Sequence, residues 1–249
     1  MKLVIDIGNT LTKIAVFDSD QLIDISIQKK ITKNLLIEYI DKTNTTFSDF
    51  YPIKSVIISS VVDYPPIIRN FINNNFKFIE LNEHTKVPII NRYKSPATLG
   101  KDRLAAVVAA NYFYKNHDLL VIDAGTCITY DLINSRGEYI GGSISPGISV
   151  RFQSLHNFTG KLPLLEKMNF EKLIGQNTKE SILSGVMNGI LFEVEGIINQ
   201  YKQQYPTIKT IFSGGDVKYF DKRLKNNIFA FPNLVLFGLN IILEYNDNQ

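Results

Sequence analysis

The chain has 249 residues, of which 45% are hydrophobic and 20% are charged, a composition typical of folded globular proteins and not of disordered or fibrous ones. Its 27 basic and 24 acidic residues leave a net charge of +3, a balance that argues against an extended nucleic-acid-binding surface. With one cysteine and only short apolar runs, the sequence indicates neither a disulfide nor a membrane span. We therefore expect a cytoplasmic protein without nucleic-acid or membrane partners.

The first 117 residues are predicted to contain both strands and helices. Apolar runs at 3–5 and 13–17, each followed by turn residues, predict a β-meander, and the run at 56–58 predicts a buried strand. Apolar residues at helical spacing predict a helix over 104–112. This mixture is typical of an α/β domain.

The same strand and turn pattern returns later in the chain. Shifting the sequence by 117 positions places 4–6 on 121–123, and the following glycines and turns coincide as well. We therefore predict an internal duplication, with an N-terminal domain over 1–117 and a C-terminal domain over 118–249.

The second domain continues with alternating elements. Helical spacing predicts a long helix over 182–201, an apolar run predicts a strand over 208–212, and 234–243 predicts a closing helix. Small residues that let another helix approach closely lie four apart, at Ser181, Gly185 and Gly189. The same chain or a second subunit could supply that partner helix. The segment 157–169 lacks periodicity, and we expect a mobile connection there.

Both repeated strands end in an Asp-x-Gly motif, within 6–10 and 123–126. Glycine leaves the backbone uncrowded, so that amide groups can face phosphate oxygens while the carboxylate of Asp6 holds Mg²⁺ through water. A single motif of this kind is more often a tight hairpin turn. Two copies favour a pair of loops around the β- and γ-phosphates of a nucleoside triphosphate. Lys13 either adds a cation to that site or is a solvated strand lysine.

Two more glycine-rich stretches follow predicted strands. The loop 212–216, with Gly214 and Gly215, is suited to an adenosine lying flat against the main chain. The stretch 141–147 is equally compatible with a structural turn.

The segment 99–103 precedes a predicted helix and carries Asp102 and Arg103. Asp102 is either a first-turn acid that complements the helix dipole or the base that deprotonates a substrate hydroxyl. In the functional interpretation, Arg103 pairs with a substrate carboxylate. Thr178 has a simpler interpretation as part of the helix cap 177–180, and spacing alone assigns it no function.

Taken together, the motifs resemble those of the type III pantothenate kinases, of the acetate and sugar kinase, heat-shock and actin superfamily. The resemblance is nearly full length, and its segments are, in family order, 6–10, 100–103, 123–126 with Thr129 and Asp131, 141–142 with 146–147, and 214–216. The Gly-x-Asp-Arg segment at 100–103 is what points to this family among ATP-binding relatives. Cys127 stands where the family more often has alanine, and we interpret it as a small packing residue. The resemblance implies an α/β fold of two duplicated ribonuclease H-like, actin-like ATPase domains with an ATP cleft between them.

The resemblance also implies an activity: transfer of the ATP γ-phosphoryl group to the primary hydroxyl of pantothenate, the first step towards coenzyme A. The ATP contacts that it implies are Asp6, Gly8, Asn9, Thr10, Lys13, Thr126, Gly214 and Gly215. The pantothenate contacts are Tyr93, Gly100, Lys101, Asp102 as proton acceptor, Arg103 facing the carboxylate, and Thr178 reaching the neighbouring subunit of a homodimer. Asp123 would bind a monovalent cation, potassium or ammonium, and Asp6 would hold Mg²⁺.

Rival interpretations remain at this stage. The phosphate loops do not choose the acceptor, so another small-molecule kinase or a phosphatase of the superfamily is the nearest alternative. A nucleotide-binding regulator without catalysis is the alternative of a different class, and the presence of Asp102 and Asp123 argues against it. A filament-forming role is the weakest, because the chain lacks the length for additional subdomains and a closed dimer does not polymerise.

Overall fold

The computed structural model of the protein describes residues 1–47 and 52–247. The chain forms two compact units, of which unit 1 comprises Met1–Phe113 and Asn233–Gln249 and unit 2 comprises Tyr114–Pro232. This division differs from the one predicted at residue 117, because the closing helix belongs with the first unit and not with the second.

Strands and helices alternate along both units. Those of residues 1–113 are β1 (Lys2–Ile7), β2 (Thr12–Asp18), β3 (Gln21–Gln28), α1 (Lys33–Thr46), β4 (Ser55–Ser60), α2 (Pro66–Asn75), β5 (Lys77–Glu80), β6 (Ile90–Asn91) and α3 (Lys101–Phe113). Those that follow are β7 (Leu119–Ala124), β8 (Cys127–Ile133), β9 (Glu138–Pro146), α4 (Ile148–Asn157), α5 (Thr178–Leu183), α6 (Gly189–Gln204), β10 (Lys209–Ser213), α7 (Val217–Asp221), β11 (Phe229–Ala230) and α8 (Leu234–Asp247). Every strand and helix predicted above is confirmed, with shifted ends.

The sheet of unit 1 has the strand order β3-β2-β1-β4-β5. Strands β1 to β3 form the predicted antiparallel meander, whereas β1, β4 and β5 run parallel. Leu3 and Ile5 of β1 share a hydrophobic core with α1 and α2. Val4, whose side chain alternates to the other face, is fully buried as well, and α3 and α8 pack against the sheet. Both faces are therefore covered.

The packing of α8 explains why it belongs to unit 1. From Leu234 to Leu243 its residues are mostly apolar and buried, and the helix lies against α3. The two helices approach so closely that a Cβ atom on Gly238 would overlap the carbonyl of Ala105. The helix α3 carries the predicted acceptor-site residues, and it is therefore packed against α8, a helix that follows it in sequence by more than 100 residues.

The strands β7 to β11 of unit 2 lie in the order β9-β8-β7-β10-β11, the same order as in unit 1. Again the first three strands are antiparallel and the last two run parallel to the first. This repeated topology supports the predicted duplication. One hydrophobic core joins β7, β8 and β10 to α4, α6 and α7.

A long helix over residues 178–204 is built from α5, the single π-helical turn Ser184–Asn188 and α6. It is long and apolar enough to cross a membrane by length and composition, which the short apolar runs of the sequence did not predict. Half of its most apolar window is buried, and residues such as Ile190 and Val194 lie in the core of unit 2, as in the core helices of globular proteins.

The predicted helix partner for the small-residue face is not found within the described chain. A Cβ atom placed on Gly185 or Gly189 would meet nothing within 4 Å beyond the helix itself. The irregular segment predicted over 157–169 contains neither helix nor strand except at Asn157, the last residue of α4, and the structure continues without either to residue 177.

Candidate active site

The first predicted phosphate loop is the turn between β1 and β2. The amide of Gly8 donates to the carbonyl oxygen of Leu11 at 3.0 Å, which closes the turn. Asn9 and Thr10 are exposed at its tip, while Asp6 is half-buried at the end of the strand. The hairpin interpretation is therefore correct as geometry, with two polar residues exposed at the tip of the turn.

Lys13 is half-buried at the start of β2. Its Nζ lies 3.5 Å from Oδ1 of Asn233, the residue that precedes α8 and has a positive φ of 62°. In this contact the lysine is not fully solvated, and its partner is an amide oxygen and not a carboxylate. If the side chain extended to contact an anion, it would lose only this one weak hydrogen bond. Asn233 lies 220 residues away in sequence, so no local pattern could indicate this contact.

Ser59 is a polar residue beside Asp6 that the sequence analysis did not single out. It lies in register with Asp6 across the parallel pair β1 and β4, and paired residues in a sheet project to the same face. Ser59 is fully buried, and its Oγ has no hydrogen-bond partner among the described residues. A buried hydroxyl of this kind is normally satisfied by an ordered water. The available signal was the serine pair 59–60 that ends the apolar strand.

The predicted acceptor-site residues come together at the N-terminus of α3. Oδ1 of Asp102 accepts the amide N–H of Arg103 at 2.8 Å, so the carboxylate occupies the first turn that the simpler interpretation predicted. A Cβ atom on Gly100 would lie 2.6 Å from that same Oδ1. Glycine is therefore required for the carboxylate to keep its position.

Tyr93 joins this group through Arg103. The guanidinium carbon of Arg103 lies 5.5 Å from the centroid of the Tyr93 ring, within cation–π range, and the arginine is only 5% exposed. Lys101, the first residue of α3, is half-buried beside them. The structure thus collects the predicted acceptor contacts of unit 1 at one helix end.

The second predicted phosphate loop connects β7 to β8. The amide of Gly125 donates to the carbonyl of Cys127 at 2.9 Å, which closes a turn one residue shorter than the first one. Asp123 is half-buried near the end of β7, and Thr126 is exposed. Cys127 is exposed too, so its interpretation as a packing residue is wrong.

The predicted adenosine loop lies directly against the second phosphate loop. Ser213 of β10 pairs in register with Asp123 of β7, and the amide of Asp216 donates to the carbonyl of Ala124 at 3.1 Å. Gly214 between them has a φ of 97°, which disfavours any L side chain. A Cβ atom on Gly214 would overlap both the Ala124 carbonyl and Oδ1 of Asp123.

A pocket of about 340 Å³ opens beside this loop within unit 2. Its apolar part comes from Met168, Met187 and Tyr219, whose hydroxyl donates to the carbonyl of Met187 at 2.8 Å. Its polar part includes the ion pair between Lys167 Nζ and Asp216 Oδ1 at 2.5 Å. Methionine and tyrosine surfaces of this kind suit a flat aromatic ring.

Thr178 is exposed at the first position of α5. Asn177 is the N-cap, and its Oδ1 accepts the amide of Glu180 at 3.0 Å, so the cap interpretation is confirmed. The Glu180 carboxylate accepts from the amide of Gln176 at 3.0 Å and completes the cap.

Two groups of oxygen donors, at Asp6 with Ser59 and at Asp123, are suited to a cation whose other ligands are water molecules and a bound phosphate. Within 1–47 and 52–247, no group of three or more His, Cys, Asp or Glu side chains converges. Mg²⁺ usually keeps several waters and takes one or two carboxylates plus phosphates, which Asp6 and the unpartnered hydroxyl of Ser59 can serve. Asp123, half-buried near the end of β7, offers a carboxylate oxygen, the type of donor that hard cations take.

Comparison with known proteins points to one family. A family model of type III pantothenate kinases matches residues 2–200. The chain is 44% identical over 248 residues to the type III pantothenate kinase of Phocaeicola vulgatus, with 99% of each chain covered.

Solved structures share the fold at lower identity. A conserved Baf family protein of Campylobacter jejuni, described as a transcriptional activator, is 20% identical with a TM-score of 0.60, covering 99% of this chain and 100% of that one. The activator of 2-hydroxyisocaproyl-CoA dehydratase from Clostridium difficile, solved with bound ADPNP, is 14% identical with a TM-score of 0.55, covering 100% and 96%. These likenesses and the two α/β sheets show the two-domain, actin-like ATPase fold.

Proposed function

Because the chain belongs to the type III pantothenate kinase family, we propose that the loops described above form its ATP and pantothenate sites. The protein is a pantothenate kinase, which transfers a phosphoryl group from ATP to pantothenate in the first step of coenzyme A biosynthesis. The observation that carries the assignment of residues is the grouping of Tyr93, Asp102 and Arg103 at one helix end.

On the ATP side, residues 6–13 and Thr126 bind the phosphates. Exposed amide and hydroxyl groups such as those of Asn9 and Thr10 donate to phosphate oxygens, and Lys13 adds a positive charge. Gly214 and Gly215 keep the main chain open for the adenosine, and the neighbouring pocket accommodates the adenine ring between its methionine and tyrosine side chains.

On the acceptor side, Asp102 takes the proton from the primary hydroxyl of pantothenate. The alcohol oxygen then forms a bond to the γ-phosphorus while the bond to the bridging oxygen of ADP breaks, and ADP leaves. Arg103 pairs with the pantothenate carboxylate, and because its guanidinium is shielded from water that pair is strong. Tyr93 holds the guanidinium plane, while Gly100 and Lys101 complete the contact surface.

Two cations assist these residues. Asp6 holds Mg²⁺ through water, and Asp123 binds a monovalent cation, potassium or ammonium. When bound, they neutralise negative charge that develops on the phosphoryl oxygens. The protein groups keep the phosphates and the acceptor hydroxyl in line, and this positioning is the chain's own contribution to the rate.

The enzyme is proposed to act as a cytoplasmic homodimer, without nucleic-acid or membrane partners, in which Thr178 contacts the substrate of the neighbouring subunit. Exposed Thr178 and the small-residue face at Gly185 and Gly189, which no helix of the described chain covers, support this arrangement.

The assignment predicts pantothenate-dependent release of ADP from Mg-ATP by the purified protein. A coupled assay with and without pantothenate measures it directly. Turnover with another alcohol, such as a sugar, in place of pantothenate would contradict the choice of acceptor.

The cation assignment predicts that turnover in sodium buffer alone is far below that in potassium or ammonium buffer. The larger ions lose their water more easily in a site made of carboxylate and carbonyl oxygens, such as the one around Asp123. Initial rates at equal ionic strength test this, and equal rates in all three buffers would contradict a role for a large monovalent cation.

Arg103→Ala is expected to raise the KM for pantothenate about 10- to 100-fold and to leave the KM for ATP nearly unchanged. A charge-assisted pair to a carboxylate contributes about 1.5–3 kcal/mol, and this variant removes it. Arg69→Ala is the matched control, because Arg69 also stacks on a tyrosine, at 5.6 Å from the ring of Tyr64. An unchanged pantothenate KM in Arg103→Ala would contradict the assignment.

A further inference from the structure

A hydrogen-bonded ion pair lies at the beginning of α4. Nη2 of Arg151 donates to Glu193 Oε2 at 2.6 Å and to Ser145 Oγ at 2.9 Å. Nε of the same guanidinium donates to the carbonyl oxygen of Pro146 at 2.8 Å. On the other side of the carboxylate, the hydroxyl of Tyr130 donates to Glu193 Oε1 at 3.1 Å. The pair therefore links α4 and α6 to the middle of β8 and the end of β9.

The backbone that Arg151 holds rests directly on the second phosphate loop. Immediately after Pro146, the amide of Gly147 donates to the carbonyl oxygen of Thr126 at 3.0 Å. A Cβ atom on Gly147 would lie 2.6 Å from that oxygen and would overlap the carbonyl of Gly125. With no space between the two turns, a shift of the Pro146–Gly147 turn must move Thr126.

The Arg151–Glu193 pair is better suited to fixing the position of the neighbouring backbone than to increasing the free energy of unfolding. Its side chains are 21% and 29% exposed, and the desolvation of a partly buried ion pair offsets most of its attraction. Burial by itself would raise the pKa of Glu193, but hydrogen bonds from Ser145 and Arg151 and the charge of Arg151 outweigh it and lower the pKa. The carboxylate is thus ionised at neutral pH. The guanidinium is fixed by its three donated hydrogen bonds, to Glu193 Oε2, Ser145 Oγ and the Pro146 carbonyl oxygen.

We propose that Arg151 and Glu193 are positioning residues for ATP, which act through the Pro146–Gly147 turn on the conformation of Thr126. The inference rests on the proposed function, in which Thr126 contacts ATP. It predicts an asymmetric effect, because the network lies beside Thr126 in unit 2, whereas the acceptor group around Asp102 belongs to unit 1.

Glu193→Gln is the main test, since it keeps the size of the side chain and removes the charge that holds Arg151. We expect the KM for ATP to rise about tenfold while the KM for pantothenate changes less than about twofold. Arg151→Ala removes the guanidinium, and we expect it to weaken ATP binding. Arg151→Lys keeps the positive charge but lacks the planar guanidinium with its several N–H donors, and we expect its ATP affinity to lie between those of Arg151→Ala and wild type.

Glu138→Gln is the matched control. Glu138 forms an ion pair of the same kind with Arg136, with Nη2 and Oε2 2.6 Å apart, but at the turn that begins β9 and not at its end. We expect this variant to leave both KM values unchanged. Thermal unfolding of each variant, with and without a non-hydrolysable ATP analogue, measures nucleotide binding without turnover.

Two results would overturn the inference: an ATP KM in Glu193→Gln equal to that of wild type, or equal losses for both substrates together with a lower unfolding temperature. Failure of the proposed function is distinguishable, because the wild type would then show no pantothenate-dependent ADP release. In that case thermal unfolding with the ATP analogue still tests the inference. A positioning role requires that the analogue raise the unfolding temperature of Glu193→Gln by less than it raises that of Glu138→Gln.

Discussion

Asp102→Asn is expected to lower kcat by about 10²-fold or more, with the KM for ATP close to that of wild type. The amide keeps the size of the side chain and the oxygen that accepts from the amide of Arg103, so the start of α3 is preserved. It cannot take a proton from the pantothenate hydroxyl. The measurement is steady-state turnover with both substrates varied, together with nucleotide binding.

The control must separate this chemistry from the structural role of Asp102 as a first-turn acid. Loss of such a charge costs about 0.3–1 kcal/mol of helix stability. Glu180→Gln removes the first-turn acid of α5 in the same way, without touching the proposed base. We expect the two variants to unfold at similarly lowered temperatures, with only Asp102→Asn losing turnover. Wild-type turnover in Asp102→Asn would contradict its role as base.

Gly214→Ala is expected to have the second largest effect, with turnover reduced at least about tenfold and the folded state destabilised by about 1–3 kcal/mol from backbone strain alone. The strain arises because φ at this position is 97°. In addition, the new methyl group would overlap the Ala124 carbonyl and Oδ1 of Asp123, which must move together with its proposed cation site. Chemical denaturation and ADP release measure the two effects.

Gly196→Ala provides the matched control for that variant. Gly196 lies inside α6, and a Cβ atom there would meet nothing within 4 Å. Alanine in a helix interior stabilises by about 0.5–1 kcal/mol relative to glycine. The control should therefore be at least as stable as wild type and fully active. Normal stability and cation dependence in Gly214→Ala would contradict the close packing of the two loops.

The predictable part of the fold was local. Apolar runs and helical spacing identified strands such as β4 and β10 and the helices α3 and α8, because alternation and a 3.6-residue period are properties of neighbouring residues. The repeat of 117 positions also predicted an internal duplication, which the common strand order of the two sheets supports. The helical spacing within 234–243 could not reveal that α8 leaves its own half of the chain and packs on α3.

The candidate site divides in the same way. Glycine and aspartate motifs indicate where the backbone can approach a phosphate. Both loops and the 100–103 segment could therefore be predicted from the types of neighbouring residues. Contacts between distant segments could not be predicted from the sequence. Examples are the contact of Lys13 with Asn233 and the pairing of Asp6 with Ser59.

The sequence by itself determined the family and the duplicated α/β organisation and supplied the candidate site residues, because each of these is recorded in short motifs and their order. Only the tertiary structure decided that glycine is required at position 214, that Arg103 is desolvated against Tyr93, and that the ion pair of Arg151 with Glu193 lies beside the turn that contacts Thr126. The physical reason is that close packing and burial depend on which elements meet in space, and strand pairing and helix packing bring together residues that are far apart in the chain.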